Sequence, residues 1–204
     1  MTLPLVIGIS GASGVIYGVE MLKALKELRH PSHLIVSQAG ARNLAIETNY
    51  SLDEVKSLAT RVYDVKDVGA AVASGSFRTK GMVIAPCTIK TLSAVANSFN
   101  YNLLIRAADV TLKEKRPLVL MVRETPLHKG HLELMARAAD LGALILPPVP
   151  AFYHDPKGIE DIIRQSVGKA LDHFHIEHNL FRRWQGEEAQ IETKPEQRLK
   201  PVPA

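Results

Sequence analysis

The chain alternates short apolar runs with segments in which apolar residues recur at helical spacing, and few folds accept this order. The apolar runs have the length of strands and lie at residues 5–10, 33–37, 81–85, 117–122 and 143–146. The helical segments lie at residues 17–28, 88–97, 102–114, 132–141 and 159–174, and a capping-box pattern at Ser51 and Glu54 predicts a further helix. This alternation predicts a single-domain, three-layer α/β/α fold with a Rossmann-like, doubly wound parallel sheet.

The length and composition fit one domain. The chain has 204 residues, of which 46% are hydrophobic, so it can bury one full core. From residue 187 onward it is rich in Glu, Gln, Lys and Pro and has little to bury. We therefore predict a folded domain over residues 1–186 and a disordered tail over residues 187–204.

Charge, cysteine content and hydropathy exclude several classes of protein. The net charge of +4 and the pI near 9.2 come from scattered residues, which disfavours nucleic-acid binding and suits an anionic small molecule. A single cysteine, Cys87, rules out an internal disulfide and a cysteine-based zinc site. The N-terminus has no secretory signal, and no run reaches the roughly 18 apolar residues that span a bilayer. We therefore predict a cytoplasmic protein without a membrane span.

Two strand-to-helix turns carry the polar residues of interest. Small residues at 11–14 follow the first apolar run, while Arg123 and Glu124 follow the run at 117–122. Thr125 and Pro126 are predicted to be the cap and the first residue of the next helix. Ligands of open parallel sheets bind at the carboxyl ends of the strands. The two turns therefore predict a phosphorylated ligand with acid–base chemistry beside it.

The residues of the first two turns each allow two interpretations, ligand binding or a purely structural role. Gly11 and Gly14 would let the backbone approach a ligand, with helix amides facing an anion, or they would only permit tight helix–sheet packing. The G-x-G-x-x-G spacing of dinucleotide sites is absent. Ser37, at the end of the second strand, lacks the carboxylate that holds a nicotinamide ribose, so FMN fits better, although Ser37 could equally be a helix cap.

The turn after the third strand offers a second anion site. The hydroxyls of Thr88 and Thr91, together with the free amides of a new helix, could hold a phosphate. Cys87 could be an activated nucleophile at that helix start, but no histidine partner is evident, which favours a buried structural thiol. Along the following helix Arg106, Asp109 and Lys113 share one face, as a solvated ion-pair surface or as a buried network.

The histidines do not predict a metal site. His128 and His131 are spaced as neighbours on a helix, but a third ligand at a matching spacing is missing. A solvated helix end is the interpretation of the three later histidines, His173, His175 and His178.

Taken together, residues 5–186 resemble the UbiX family of flavin prenyltransferases. The resemblance rests on six motifs in order, at residues 8–18 (GISGASGVIYG), 74–77 (SGSF), 86–93 (PCTIKTLS), 102–110 (NLLIRAADV), 123–128 (RETPLH) and 150–154 (PAFYH). It implies a fold of the flavoprotein type over residues 1–186. It also implies an enzyme that joins the dimethylallyl group of dimethylallyl monophosphate to N5 and C6 of reduced FMN, releases phosphate, and supplies prenylated FMN to a UbiD-type decarboxylase.

The resemblance further implies roles for individual residues. FMN would be held by Gly11, Ala12, Ser13, Ser37, Thr88, Ile89, Lys90, Thr91, Arg106 and Arg123. Dimethylallyl phosphate would be held by Lys113, Arg123, Tyr153 and Lys169, several of them from neighbouring subunits, because the family forms homododecamers. Catalysis would use Glu124 as a proton shuttle, Ser13 and Glu47 near the reactive edge of the flavin, and Trp184 as an aromatic cap, with no metal.

Two substitutions and two rival functions qualify this interpretation. Thr88 stands where serine is common, and Lys169 stands where many members have arginine, so its charge is kept but its bidentate fork is lost. One rival is a flavin-dependent cysteine decarboxylase of related fold, whose PASANT motif is replaced here by APCTIK at residues 85–90. The other is a non-catalytic flavin carrier, in which Arg123, Glu124 and Lys113 would be structural.

Overall fold

The computed structural model describes residues 2–186, which form a six-stranded parallel sheet with helices on both faces. The strands are β1 (Leu5–Ile9), β2 (Ser32–Val36), β3 (Arg61–Tyr63), β4 (Gly81–Cys87), β5 (Leu118–Val122) and β6 (Ala143–Ile145). The helices are α1 (Ile16–Glu27), α2 (Gln38–Glu47), α3 (Leu52–Leu58), α4 (Ile89–Ala96), α5 (Leu103–Lys113), α6 (Lys129–Asp140) and α7 (Ile159–Asp172). The strand order is β3-β2-β1-β4-β5-β6. The predicted doubly wound parallel sheet is confirmed.

The sheet separates two apolar cores. Every residue of β1, β4 and β5 is buried, as expected for central parallel strands that are covered on both faces. Helices α1, α2, α3 and α7 contribute to the core on one face, and α4, α5 and α6 to the core on the other. The chain therefore changes face after β3, which places the topological switch point between β1 and β4.

The structure differs from the predicted elements in four details. The edge strand β3 and the helix α2 were not predicted, and residues 71–73 form a short 3-10 turn. Thr125 and Pro126 do not start the helix after β5. That helix begins at Lys129 and is capped by His128, whose Nδ1 accepts a hydrogen bond from the amide of Gly130.

The capping box before α3 is confirmed, since the Ser51 hydroxyl accepts from the Glu54 amide and the Glu54 carboxylate accepts from the Ser51 amide. The predicted disordered tail at residues 187–204 lies outside the described residues. Within residues 2–186 no helix has both the length and the apolar character needed to cross a bilayer.

The carboxyl ends of β1 and β4 are tied together at the switch point by Ser10. Its buried hydroxyl donates to the carbonyl of Pro86 (2.8 Å) and accepts from the amide of Thr88 (2.9 Å). Because this hydroxyl follows β1 and bonds two groups at the end of β4, it fixes where the two following loops diverge. A cleft opens between these loops.

Close packing of α1 on the sheet depends on the absence of a side chain at Gly18. A Cβ there would overlap the carbonyl oxygen of Ala85 and lie 2.8 Å from the side chain of Ile9. Since a backbone carbonyl in β4 cannot move aside, we expect Gly18→Ala to lower the free energy of unfolding by about 1–3 kcal/mol, measured by urea titration. Gly69→Ala is the control, because the nearest atom would be 3.5 Å away. Equal stability of the two variants would contradict this packing.

A buried histidine on β2 gives the fold a pH dependence. The Nδ1 of His33 lies 3.1 Å from the Tyr63 hydroxyl, and its ring stacks on Phe77. Burial lowers the pKa of His33 below its usual 6.5, and the charge of Arg61 acts in the same direction. The folded state thus holds the proton more weakly than the unfolded state.

The contribution of His33 to stability is therefore complete above pH 6.5, and it falls as the pH drops through 6.5 toward the lower folded-state pKa. We expect His33→Gln to flatten this part of the curve of unfolding free energy against pH. An identical curve for the variant and the wild-type protein would contradict the assignment.

Candidate functional site

A cleft of about 520 Å³ lies at the switch point, at the carboxyl edge of the sheet. It is lined by Ser10, Gly11, Ser37, Gln38, Ala39, Val65, Lys66, Thr88, Lys90, Thr91, Tyr101, Asn102 and Leu104. Four of these side chains carry hydroxyls on the strand ends or the helix that follows, namely Ser10, Ser37, Thr88 and Thr91. A ligand at this position would meet the ends of β1, β2 and β4 together.

Two helix N-termini face this cleft, and each is capped by a lining residue. The Ser37 hydroxyl accepts from the amide of Gly40 (3.0 Å) at the start of α2, and the Thr88 hydroxyl accepts from the amide of Thr91 (3.0 Å) at the start of α4. Each cap satisfies one amide of the first turn and leaves others without an intrahelical acceptor. The positive ends of two helix dipoles therefore converge on the cleft, which favours an anion.

Two amides at the start of α1 already have an acceptor within the protein. The carboxylate of Glu47, at the end of α2, accepts from the amides of Gly14 (2.7 Å) and Val15 (3.3 Å). An acidic side chain of the protein thus already occupies the start of α1. Gly11 is required by packing, since a Cβ there would overlap that of Ala39.

The lining of the cleft is cationic. Lys66 and Lys90 contribute to it, and no Asp or Glu is found among its lining residues in the described part of the chain. The ammonium group of Lys90 lies 5.1 Å from the ring centre of Tyr101. The sequence gives no signal for Lys66, because this residue follows β3, an edge strand of three residues that is too short for a clear periodic pattern.

Arg123 and Glu124 lie at the same edge of the sheet, directly after β5. The amide of Arg123 donates to the carbonyl of Cys87 (3.0 Å), so the residue sits beside the end of β4. Burial raises the pKa of the Tyr17 phenol, and the positive charge of nearby Arg123 opposes part of that rise. Glu124 is exposed, and its carboxylate accepts from the amide of Thr125.

Cys87 is a structural thiol. It is fully buried in β4, and burial raises the pKa of the thiol far above its ordinary value. A thiol held in its neutral form is a poor nucleophile. The interpretation of Cys87 as a buried core residue therefore holds, and the nucleophile interpretation does not.

Comparison with known proteins assigns the family. A sequence profile described as Flavoprotein matches residues 2–169. The flavin prenyltransferase UbiX of Thauera aromatica is 61% identical over 184 residues, which cover 90% of this chain and 95% of the relative. The chain belongs to the UbiX family of flavin prenyltransferases.

Solved UbiX structures share the fold closely. One is AnUbiX in complex with FMN and dimethylallyl pyrophosphate, with a TM-score of 0.90, 44% identity, and coverage of 91% of this chain and 99% of that chain. Another is a dodecameric FMN-dependent UbiX-like decarboxylase from Escherichia coli O157:H7, with a TM-score of 0.88, 42% identity, and coverage of 90% and 100%. The predicted UbiX family, its class of enzyme and the fold are confirmed.

Two cations predicted from the UbiX resemblance lie on α5, outside the lining of the cleft, and each pairs with a carboxylate. Lys113 ends α5, roughly 16 Å along the helix from the cleft residue Asn102, and it pairs with Glu114 (2.6 Å). Arg106 donates to the carbonyl of Ala73 (3.2 Å) and pairs with Asp109 (3.0 Å). The predicted ion pairing on this face of α5 is confirmed for Arg106 and Asp109.

Three further UbiX-derived residues lie on α7 and the loops around it. The ring centres of Tyr153 and Trp184 lie 6.2 Å apart, edge to face, and the Tyr153 hydroxyl is 3.4 Å from Gln165 Nε2. Lys169 lies one turn beyond Gln165, and its ammonium group is 3.9 Å from Asp172. Tyr153, Trp184 and Lys169 thus form a second group of side chains, apart from the lining of the cleft.

The histidines at 128 and 131 contact each other at the start of α6. Their rings lie 3.6 Å apart, and His128 caps α6. No cluster of three or more metal-ligating side chains is found within residues 2–186. The prediction of a solvated helix end is wrong for His178, whose side chain is buried against α7, while His173 and His175 are exposed.

Proposed function

We propose that this chain transfers the dimethylallyl group of dimethylallyl monophosphate to reduced FMN and releases orthophosphate. The observation that carries the proposal is the cleft at the switch point, where hydroxyls, two helix N-termini and two lysines meet without an acidic side chain. Such a cleft suits a phosphorylated mononucleotide. The Arg123–Glu124 turn beside it supplies a cation and a proton carrier.

The residues of the cleft fit FMN. Ser37, Thr88 and Thr91 offer hydroxyls, and the first turns of α2 and α4 offer amides, which together are suited to a phosphate group. The backbone and side chains that complete the proposed binding site belong to Gly11, Ala12, Ser13, Ile89, Lys90, Arg106 and Arg123. When bound, reduced FMN supplies the nucleophilic N5 and C6 positions to which the dimethylallyl group is joined.

Cationic side chains are proposed to hold the departing phosphate. Cleavage of the allylic C–O bond leaves its electron pair on the phosphate oxygen, so negative charge builds up there in the transition state. Fixed donors stabilise that charge more strongly in a site that excludes water than in bulk solvent. We assign this task to Lys113, Arg123, Lys169 and the hydroxyl of Tyr153.

The side chains around the reacting atoms are proposed to manage the proton and the positive carbon. The phosphate takes up the proton that N5 loses when the first bond forms. A proton is then added to C2 of the dimethylallyl double bond, which makes C3 positive, and C6 bonds to C3. The Glu124 carboxylate accepts the proton that C6 loses in this step and returns it to the phosphate. The π face of Trp184 stabilises the allylic carbon while it is positive. Ser13 is exposed beside the first turn, and Glu47 holds that turn through Gly14.

A homododecamer is proposed to complete the site. Lys113 lies too far from the cleft of its own subunit to act there, so it would serve a neighbouring subunit. Large apolar side chains are strongly exposed in the protomer, with relative exposures of 75% for Ile46, 70% for Phe152 and 67% for Phe99. Apolar surface of this kind is suited to subunit contacts.

The prenylated flavin would pass to a UbiD-type decarboxylase.

The substrate test is an anaerobic incubation of the protein with reduced FMN and dimethylallyl monophosphate, followed by mass spectrometry of the flavin. We expect a product heavier by one C5 unit, and a parallel reaction with dimethylallyl pyrophosphate shows which phosphate ester is used. Oxidative decarboxylation of a peptide with a C-terminal cysteine, with no C5 adduct, would favour the rival decarboxylase. Unchanged FMN that stays bound would favour a flavin carrier.

A further inference from the structure

Residues 177–184, which we call the C-terminal strap, cross the second half of α7 and end at the only tryptophan of the chain. The strap is the continuation of the chain after α7, and it returns over that helix toward the loop that carries Tyr153. Its Phe181 ring lies 6.5 Å from the ring of His154, the neighbour of Tyr153. Trp184 thus owes its place beside Tyr153 to the docking of the strap.

A single carboxylate anchors the strap to α7. The guanidinium group of Arg183 donates to both oxygens of Asp172, at 3.0 and 2.7 Å, in a bidentate pair. Burial alone would raise the pKa of Asp172, but Arg183, His178 and Lys169 together bring it below its ordinary value. Asp172 is therefore an ionised anchor for the residue next to Trp184.

The second anchor is His178, which is buried over a glycine of α7. Its Nε2 lies 2.9 Å from the carbonyl of Gly168 and 3.1 Å from Asp172, while its Nδ1 accepts from the amide of Leu180. This pattern assigns the neutral tautomer with the proton on Nε2. A Cβ at Gly168 would lie 2.6 Å from Phe181 and 2.7 Å from His178, so the strap requires a glycine beneath it.

We propose that Asp172 and Gly168 are positioning residues of the prenyl-transfer site, acting through the strap on Trp184 and Tyr153. This inference rests on the proposed function, because it gives Trp184 and Tyr153 the roles of aromatic cap and phosphate ligand. The position of Trp184 beside Tyr153 depends on the docked strap. The strap in turn is held by one bidentate ion pair and by one close contact with α7. Loss of either contact releases the strap and displaces the cap.

Two substitutions break the contacts independently. Arg183→Gln removes the bidentate pair, while Gly168→Ala leaves every charge in place and pushes Phe181 and His178 away from α7. Asp172→Asn also changes the surroundings of Lys169, so it is measured both alone and in the double variant with Arg183→Gln. The double variant should lose no more kcat/KM than the worse of its two single variants, because both changes remove the same ion pair. Glu160→Gln, on the exposed first turn of the same helix, is the control.

Trp184 reports docking without any ligand. In Gly168→Ala and Arg183→Gln we expect its emission to shift to longer wavelength and its quenching by acrylamide to rise, with the Kd for FMN unchanged. We expect kcat/KM for dimethylallyl phosphate to fall about 10–100-fold in the same variants. Arg183→Lys, which keeps the charge but not the fork, should lie between the wild type and Arg183→Gln.

The possible results separate the two proposals. A shift in Trp184 emission with unchanged kcat/KM would overturn the positioning role and leave the proposed function intact. Unchanged emission in both variants would overturn the anchoring of the strap. Failure of the wild-type enzyme to form any prenylated flavin would refute the proposed function, and with it this role for Trp184, whatever the emission shows.

Discussion

Replacement of Glu124 by glutamine is expected to slow prenylation of the flavin by about 10²–10⁴-fold while FMN still binds. The substitution keeps the shape of the side chain and removes its ability to accept a proton. Glu124 is exposed on the loop after β5, outside the lining of the cleft, so the Kd for FMN should not change. Single-turnover formation of the C5 adduct measures the rate, and flavin fluorescence measures binding.

Glu133→Gln is the matched control for this experiment. Glu133 is an exposed carboxylate on α6 that pairs with Lys129 at 3.4 Å. We expect wild-type turnover from it. Normal turnover by Glu124→Gln would remove the proposed role of Glu124 in proton transfer, and the flavin-carrier hypothesis would gain support.

Replacement of Arg123 by methionine is expected to lower kcat by about 10²–10³-fold, the usual effect of losing one donor to a developing oxyanion. Arg123 is half-buried beside Tyr17 and is fixed at the end of β5 by its bond to the carbonyl of Cys87. A positive charge held at this place stabilises the departing phosphate. Orthophosphate release and flavin mass, followed in the same reaction, measure the effect.

Arg123→Lys should recover part of that loss, because it restores the charge without the planar fork. Arg137→Met removes an exposed arginine from α6 and should leave kcat unchanged. A wild-type kcat in Arg123→Met would show that this guanidinium does not contact the phosphate. Equal losses in Arg123→Met and Arg137→Met would show a general effect of net charge.

The order of the main elements could be predicted because apolar periodicity is a local property of the sequence. The edge strand β3 has three residues, two of them exposed, so it carries almost no apolar pattern. The helix α2 buries only Gly40 and Leu44, and its weak apolar face gives little periodic signal. Elements with little burial are the ones that sequence periodicity misses.

The position of the cleft was predictable from the switch point, but the roles of individual residues were not. Glu47 reaches the start of α1 from the end of α2, and its contact with Gly14 joins residues 33 positions apart. Gly11 faces Ala39 for the same reason, since both contacts depend on how α2 packs beside β1. Tertiary packing of this kind leaves no local pattern in the sequence.

His178 shows the same limit at the other end of the chain. Its polar neighbours in the sequence are typical of a solvated helix end, yet its ring is buried because Gly168 leaves room for it. The Asp172–Arg183 pair likewise joins residues 11 positions apart across a turn of the chain. Only the three-dimensional arrangement relates these residues to Trp184.

A crystal structure of the protein with FMN and dimethylallyl phosphate tests the central claim most directly. We expect the FMN phosphate at the N-termini of α2 and α4, between the ends of β1 and β4, and the second phosphate in contact with Arg123 and Tyr153. A flavin bound elsewhere, or a second phosphate surrounded only by apolar side chains, would contradict the account.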